Sequence, residues 1–224
     1  IEVVSDPFKA VQNDDGPLVF EERGNNIMMQ RTFTWGDVDG AFAEADHVID
    51  GTFRWNRMGA NPTETFGCIT EWNPRSLDLV IRASIQAPMF TALARCGVLG
   101  LPSSKVRLIT YPHGGSFGGK GLPRGIDIAA ILSRKAGGKP VKWIEDRIEY
   151  LTAGASQAWD RHYEASLALK ADGTFTGFRV KLMDDIGANG EGYGSISAAK
   201  VLTSFTGPYT IGTAEYDLTL ACTN

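Results

Sequence analysis

The chain has 224 residues, and 22 Lys plus Arg against 26 Asp plus Glu give a formal net charge of −4. Hydrophobic residues make up 43% and charged residues 21%, an ordinary globular mix that rules out a disordered or collagen-like chain. The weakly acidic balance argues against nucleic acid as a partner, and no apolar run approaches the roughly 20 residues of a membrane span.

Length alone allows one large domain or two small ones. Glycine is over-represented, with 26 residues, ten of them clustered at 114–125 and 187–194, where turns or close backbone approach to a ligand are expected. Cys68, Cys96 and Cys222 have no CxxC spacing, and any disulfide leaves one over, so a reduced, cytoplasmic setting is expected. The first residue is Ile1, which reads as a processed chain or a section of a longer one.

In chain order, residues 1–30 are poorly periodic and read as an extended arm leaving a preceding domain, with residues 31–224 as the main domain. Thr34 is placed to cap a short helix over Asp37–Ala45. Val48–Trp55 alternates as a strand. Phe66–Trp72 and Leu77–Ala83 read as two strands joined by a turn at Asn73, Pro74 and Arg75. Pro88 suits the first turn of a helix running to Leu99, which Gly100 and Pro102 stop. Lys105–Tyr111 is a strand, and a glycine-rich loop at His113–Gly121 follows. Ile126, Ala129, Ala130 and Ser133 have helical spacing, and Val141–Ile144 is a short apolar strand. Tyr163–Lys170 and Phe175–Met183 flank the hairpin signal Asp172-Gly173, and Thr213–Ala221 is the last strand. Helices mixed with antiparallel strands, without a regular βαβ repeat, predict an α+β fold with mixed and antiparallel sheets.

The sharpest local feature is Gly114-Gly115-Ser116-Phe117-Gly118-Gly119-Lys120, between a predicted strand and a predicted helix. Backbone N–H groups in such a place attract anions, and glycine lets the main chain touch a ligand. The spacing Gly114…Gly119-Lys120 matches the phosphate-binding GxxxxGK, but Gly121 stands where Ser or Thr would hold magnesium. The dinucleotide GxGxxG does not fit. A plain tight turn remains the bland alternative.

The neighbours extend the pattern. Ala83-Ser84-Ile85-Gln86-Ala87-Pro88, Gly100-Leu101-Pro102, Lys105-Val106-Arg107 and the glycine-rich loop together resemble the molybdenum-binding large subunit of the molybdenum hydroxylases. These are the xanthine dehydrogenase, aldehyde oxidase and aerobic carbon monoxide dehydrogenase enzymes. Their pattern is roughly S-T-Q-x-P-H, L-G-x-P, K-V-R-V and G-G-G-F-G-x-K. Asn61-Pro62-Thr63-Glu64-Thr65 resembles the P-x-E-T segment of that family. Gly138-Lys139-Pro140-Val141-Lys142-Trp143, continuing to Arg147 and Glu149, resembles G-R-P-V-K-W-x-x-x-R-x-E. Asp172-Gly173, Asp185-Ile186-Gly187-Ala188 and Thr223-Asn224 match a D-G turn, a D-x-G-A segment and a T-N pair. The likeness runs over about residues 45–224 in the same order and is nearest in flavour to the carbon monoxide dehydrogenase branch.

The resemblance implies a part of an oxidoreductase that hydroxylates or oxidises a small carbonyl, N-heterocyclic or CO-type substrate, with water as the oxygen source. It implies a molybdenum-molybdopterin cofactor, in the cytosine dinucleotide form, with no metal ligand from the protein. It implies 2Fe-2S and FAD on partner domains or subunits, and the rest of the large subunit as a further partner. Carried over by position, Gln86 faces an oxygen ligand of the metal, and Phe117 walls the site; these two are the expected catalytic contacts. Gln86, Gly114, Gly115, Ser116, Phe117 and Gly118 are the expected cofactor contacts. The departures are Ile85 for Ser or Thr, Met89 for His, Ser116 for the middle glycine, and Gly121 where purine-oxidising members carry Glu. They argue against a purine substrate. The family's substrate loop and general-base Glu lie beyond Asn224, so the isolated chain is expected not to turn over. Two alternatives stay open: a cofactor-free interaction or assembly domain of the same fold, and a P-loop-like nucleotide-binding protein.

Overall fold

The computed structural model describes residues 3–12, 16–121, 123, 125–154, 159–188 and 199–224. They form two units, one of residues 1–57 with 159–224, the other of residues 58–158.

The second unit is built on period-two strands. In β3 (Gly67–Asn73), Cys68, Thr70 and Trp72 point inward while Ile69, Glu71 and Asn73 point out. In β4 (Asp78–Ala83), Leu79, Ile81 and Ala83 point inward. This alternation buries one face of a sheet and leaves the other wet. With β5 (Val106–Ile109) and β6 (Val141–Ile144) the strand order is β5-β4-β3-β6. The inward face is covered by α4 (Gly125–Lys135), whose Ile126, Ala129, Ala130 and Ser133 are buried at helical spacing. Ser133 is a polar exception with a reason. Its hydroxyl accepts from Trp72 N at 3.0 Å and donates to Lys139 O at 2.8 Å, tying strand, helix and the following turn together. Helix α3 (Pro88–Leu99) joins β4 to β5. It starts with Pro at its first turn and ends at Gly100, φ 64°, as the sequence predicts.

The first unit is a five-stranded sheet in the order β1-β9-β8-β7-β2. Its strands are β1 (Ile27–Trp35), β2 (His47–Trp55), β7 (Asp160–Leu169), β8 (Phe175–Asp185) and β9 (Thr213–Ala221). Strands β7 and β8 form the hairpin expected at Asp172-Gly173, with Gly173 at φ +87°. Val180, Leu182, Ile186, Tyr216, Leu218 and Leu220 make its core. Thr223 Oγ1 donates to Asp185 Oδ1 at 2.6 Å, so two segments singled out separately in the sequence meet. The α+β class with mixed and antiparallel sheets holds: among the described residues, β4–β5 and β8–β9 pair in parallel and the other strand pairs are antiparallel.

The opening stretch departs from the sequence reading. Within the expected arm, Pro7–Gln12 form a helical turn, α1, and β1 begins at Ile27, before residue 30. Thr34 lies inside β1 opposite Glu215 and caps nothing. The cap of α2 (Val38–Ala43) is Asp37, whose carboxylate accepts from Gly40 N at 3.0 Å. Strand β1 shows no clean burial alternation, so period-two reasoning had no signal there; its pairing with β9, some 190 residues on, creates it. Among the described residues, Cys68, Cys96 and Cys222 form no disulfide with one another. Among the described residues, no helix is long and apolar enough to cross a membrane.

Candidate functional site

Gln86 and the glycine-rich loop meet because of one βαβ unit. Strands β4 and β5 run parallel, with Leu79 opposite Val106 and Arg82 opposite Ile109. Their C-terminal ends therefore emerge side by side. Ser84–Gln86 leave the end of β4, and the loop leaves the end of β5 before α4 begins at Gly125.

The loop closes around Gln86. Gln86 N donates to Lys120 O at 3.4 Å. The side-chain carbonyl Oε1 accepts from Gly118 N at 3.1 Å and from the Ser116 hydroxyl. Ser116, itself buried, accepts at Oγ from Lys120 N at 3.2 Å, and its carbonyl accepts from Gly119 N at 2.8 Å. The Gln86 amide nitrogen Nε2 meets no acceptor among the described residues, and Gln86 is exposed. Gln86 is thus not a buried glutamine satisfied by the backbone.

Phe117 is 79% exposed, at φ 49°. It is not a core residue, and a bulky side chain held in the left-handed region points to a constrained turn. Its ring lies against Gly115, where an added Cβ would sit 2.9 Å from Phe117 Cε2. Gly115 (φ +94°) and Gly118 (φ +93°) take backbone conformations that suit glycine, and the space a Cβ would fill at Gly118 is open. The N–H groups of Gly115, Ser116 and Phe117 have no acceptor among the described residues. Those of Gly114 and Gly118 are taken by Glu64 and Gln86.

Three residues that the sequence quoted only as parts of motifs hold the loop from behind. Lys120, with no exposed surface, donates from Nζ to Ser84 Oγ at 3.0 Å and pairs with Glu64 at 3.7 Å. Glu64 Oε2 accepts from Gly114 N. Burial acts to raise the Glu64 pKa, but the Ser84 hydroxyl, the Gly114 amide and the Lys120 charge outweigh it and hold the carboxyl below its usual range. Burial pushes the Lys120 ammonium down, and Glu64 partly offsets that. Glu64 in turn is fixed by its own segment: Arg147 donates to Asn61 Oδ1 and to Thr63 O, both at 2.8 Å. Arg147 sits inside a capping box in which Asp146 and Glu149 bond each other's backbone N–H, at 2.7 and 2.8 Å. The motif pieces Asn61–Thr65, Ser84–Gln86, Gly114–Lys120 and Arg147–Glu149 therefore form one bonded assembly. A lysine buried in this way cannot reach a nucleotide phosphate, which removes the physical basis of a P-loop despite the matching spacing.

The donor set is neutral: an unpaired carboxamide N–H₂ and three consecutive backbone N–H groups on a glycine-shaped surface. It fits an oxygen-rich ligand that has no need of a charged partner.

The molybdopterin cofactor-binding domain model matches residues 19–224. The chain belongs to the molybdopterin cofactor-binding domain family. Its likenesses are to molybdenum hydroxylase large subunits, the carbon monoxide dehydrogenase branch among them. It is 34% identical over 227 residues to the nicotine 6-hydroxylase large subunit of Paenarthrobacter nicotinovorans, covering 100% of this chain and 28% of that protein. It is 34% identical over 200 residues to the carbon monoxide dehydrogenase large chain of Hydrogenophaga pseudoflava, covering 83% and 24%. Among solved structures, reconstituted CO dehydrogenase from Oligotropha carboxidovorans matches with a TM-score of 0.84 at 28% identity, covering 100% of this chain and 29% of that one. The chain thus spans about a quarter of the length of these family relatives.

Proposed function

We propose that residues 31–224 supply one wall of a molybdenum-molybdopterin site in an oxidoreductase. The carrying observation is the Gln86 amide: its oxygen is tied down by Ser116 and Gly118 while its nitrogen stays free beside open backbone donors. When bound, the cofactor supplies the redox chemistry that transfers oxygen from water to a small substrate. The residues of this chain bind, orient and shield. Gln86 Nε2 donates to an oxygen of the cofactor. Gly115, Ser116 and Phe117 offer backbone N–H groups, and Gly114 and Gly118 contribute shape, their own N–H groups being engaged. Phe117, exposed on the loop, covers the bound group and excludes water. The substrate class is a small carbonyl, an N-heterocycle or CO. The names of the relatives, a nicotine hydroxylase and a CO dehydrogenase, support that range. The cofactor is read as the cytosine dinucleotide form. The 2Fe-2S and FAD groups that would take up the electrons are assigned to partner domains or subunits, in a reduced cytoplasmic setting that fits three cysteines with no disulfide among them.

The test is metal and pterin analysis of the protein purified with its natural neighbours. Molybdenum and pterin in stoichiometric amounts are expected. A folded complex with neither would favour a cofactor-free assembly domain.

A further inference from the structure

Ser116 is the residue of the loop where this chain departs from the glycine of the family pattern, and its hydroxyl sits at the centre of a directional relay. Lys120 N–H is a donor and nothing else, so Ser116 Oγ accepts there, at 3.2 Å. The hydroxyl proton of Ser116 is then free to be donated, and the partner in its path is Gln86 Oε1. Gly118 N–H, again a donor only, meets the same oxygen at 3.1 Å. Gly118 N–H can only donate, so the end of the amide it meets must be the carbonyl, and the Ser116 proton gives that oxygen its second bond. A flipped amide would set N–H₂ against Gly118 N–H, donor facing donor, and would leave the Ser116 proton without this acceptor.

We infer that Ser116 is a positioning residue that fixes the polarity of the Gln86 carboxamide, so that Nε2–H₂ is the face presented to the ligand. This rests on the molybdopterin reading of the site and deepens it. With glycine or alanine at 116, one of the two anchors on Oε1 is lost and only Gly118 N–H opposes rotation. Ser116 is buried, so water does not readily replace its hydroxyl. The Gln86 amide then samples orientations in which its oxygen faces the ligand, where it repels an oxygen acceptor instead of donating to it.

The experiment uses the full-length protein in its native assembly, with Ser116→Ala and Ser116→Gly compared with the parent. Four quantities are read: molybdenum per polypeptide, thermal midpoint, kcat and KM on the assembly's own substrate, and the Gln86 conformation in crystal structures of the variants. The inference expects near-parental molybdenum content and midpoint, a kcat lowered by about three- to tenfold with KM little changed, and Gln86 in more than one orientation. It is overturned if both variants keep the parental kcat and a single Gln86 orientation. It is also overturned if molybdenum content and midpoint fall together with kcat in both variants, since Ser116 then serves folding alone. Absence of molybdenum from the parent itself would instead bring down the functional reading, and this inference with it.

Discussion

Replacing Lys120 with methionine tests the latch behind the loop. The change keeps a stem of similar length in a fully buried slot and deletes one charge with its hydrogen bonds. Lost are the Nζ–Ser84 bond of 3.0 Å and the pairing with Glu64 at 3.7 Å. Orphaning one partner of a fully buried ion pair costs about 3–5 kcal/mol. The Glu64 side chain is 42% exposed and keeps its bond from Gly114 N, so water absorbs part of that cost. The expected loss is about 1–3 kcal/mol. In a chain of this size that lowers Tm by roughly 3–10 °C. The sign of the pH dependence follows from Glu64. Its folded pKa is depressed, so its contribution is present above its ordinary value of 4.5 and is lost as pH falls through the depressed folded value. In Lys120→Met the folded value is depressed less, so the acid loss that Glu64 contributes is smaller. The assay is calorimetry or circular dichroism from pH 3 to 8 on the parent, Lys120→Met, Glu64→Gln and the double variant. The double variant should cost less than the sum of the singles. A Lys120→Met protein that melts with the parent, or strictly additive singles, would refute the latch.

Two further outcomes follow from the packing. Gly119→Ala should destabilise by roughly 1–3 kcal/mol, because its Cβ would overlap the hydroxyl of the fully buried Tyr150, read as a lowered urea midpoint with unchanged slope. Asp184, fully buried beside Arg161 at 3.0 Å, has its pKa pushed up to about 6 by burial. Because the folded value lies above the unfolded one near 3.9, stability should fall as pH rises from about 4 to 6, by on the order of 2–3 kcal/mol, and then level off. Asp184→Asn should flatten that part of the urea-unfolding profile, and an unchanged slope would assign it to other groups.

The sequence spoke most clearly where each local signal agreed with its surroundings. The inward Cys68, Thr70 and Trp72, the helical row from Ile126 to Ser133, and Asp172-Gly173 all sit where their spacing demands. It was silent where pairing across the chain does the work. Strand β1 has no alternation to read, and its partner lies at the opposite end of the chain. The site followed the same division. The glycine-rich loop and Gln86 were legible as motifs, and the parallel register of β4 and β5 explains why they meet. The latch was not legible. Nothing in the spacing of Glu64, Ser84 and Lys120 says that a lysine in a GxxxxGK frame is buried against a carboxylate 56 positions earlier. Phe117, expected from the resemblance to wall the site, stands exposed on the loop, a placement that its position among glycines does not specify.

Whether the loop touches the cofactor is decided at Gly115. Its φ of +94° and the nearby Phe117 ring leave no easy room for a side chain. Adding a Cβ at positive φ costs roughly 1–2 kcal/mol of backbone strain, a moderate loss for a domain of this size. The measurement is molybdenum per folded polypeptide in the native assembly, taken beside the thermal midpoint, for the parent and Gly115→Val. A modestly lowered midpoint and a site nearly emptied of molybdenum are expected. Full molybdenum occupancy in Gly115→Val would contradict this, because the loop would then be a turn that the cofactor does not touch.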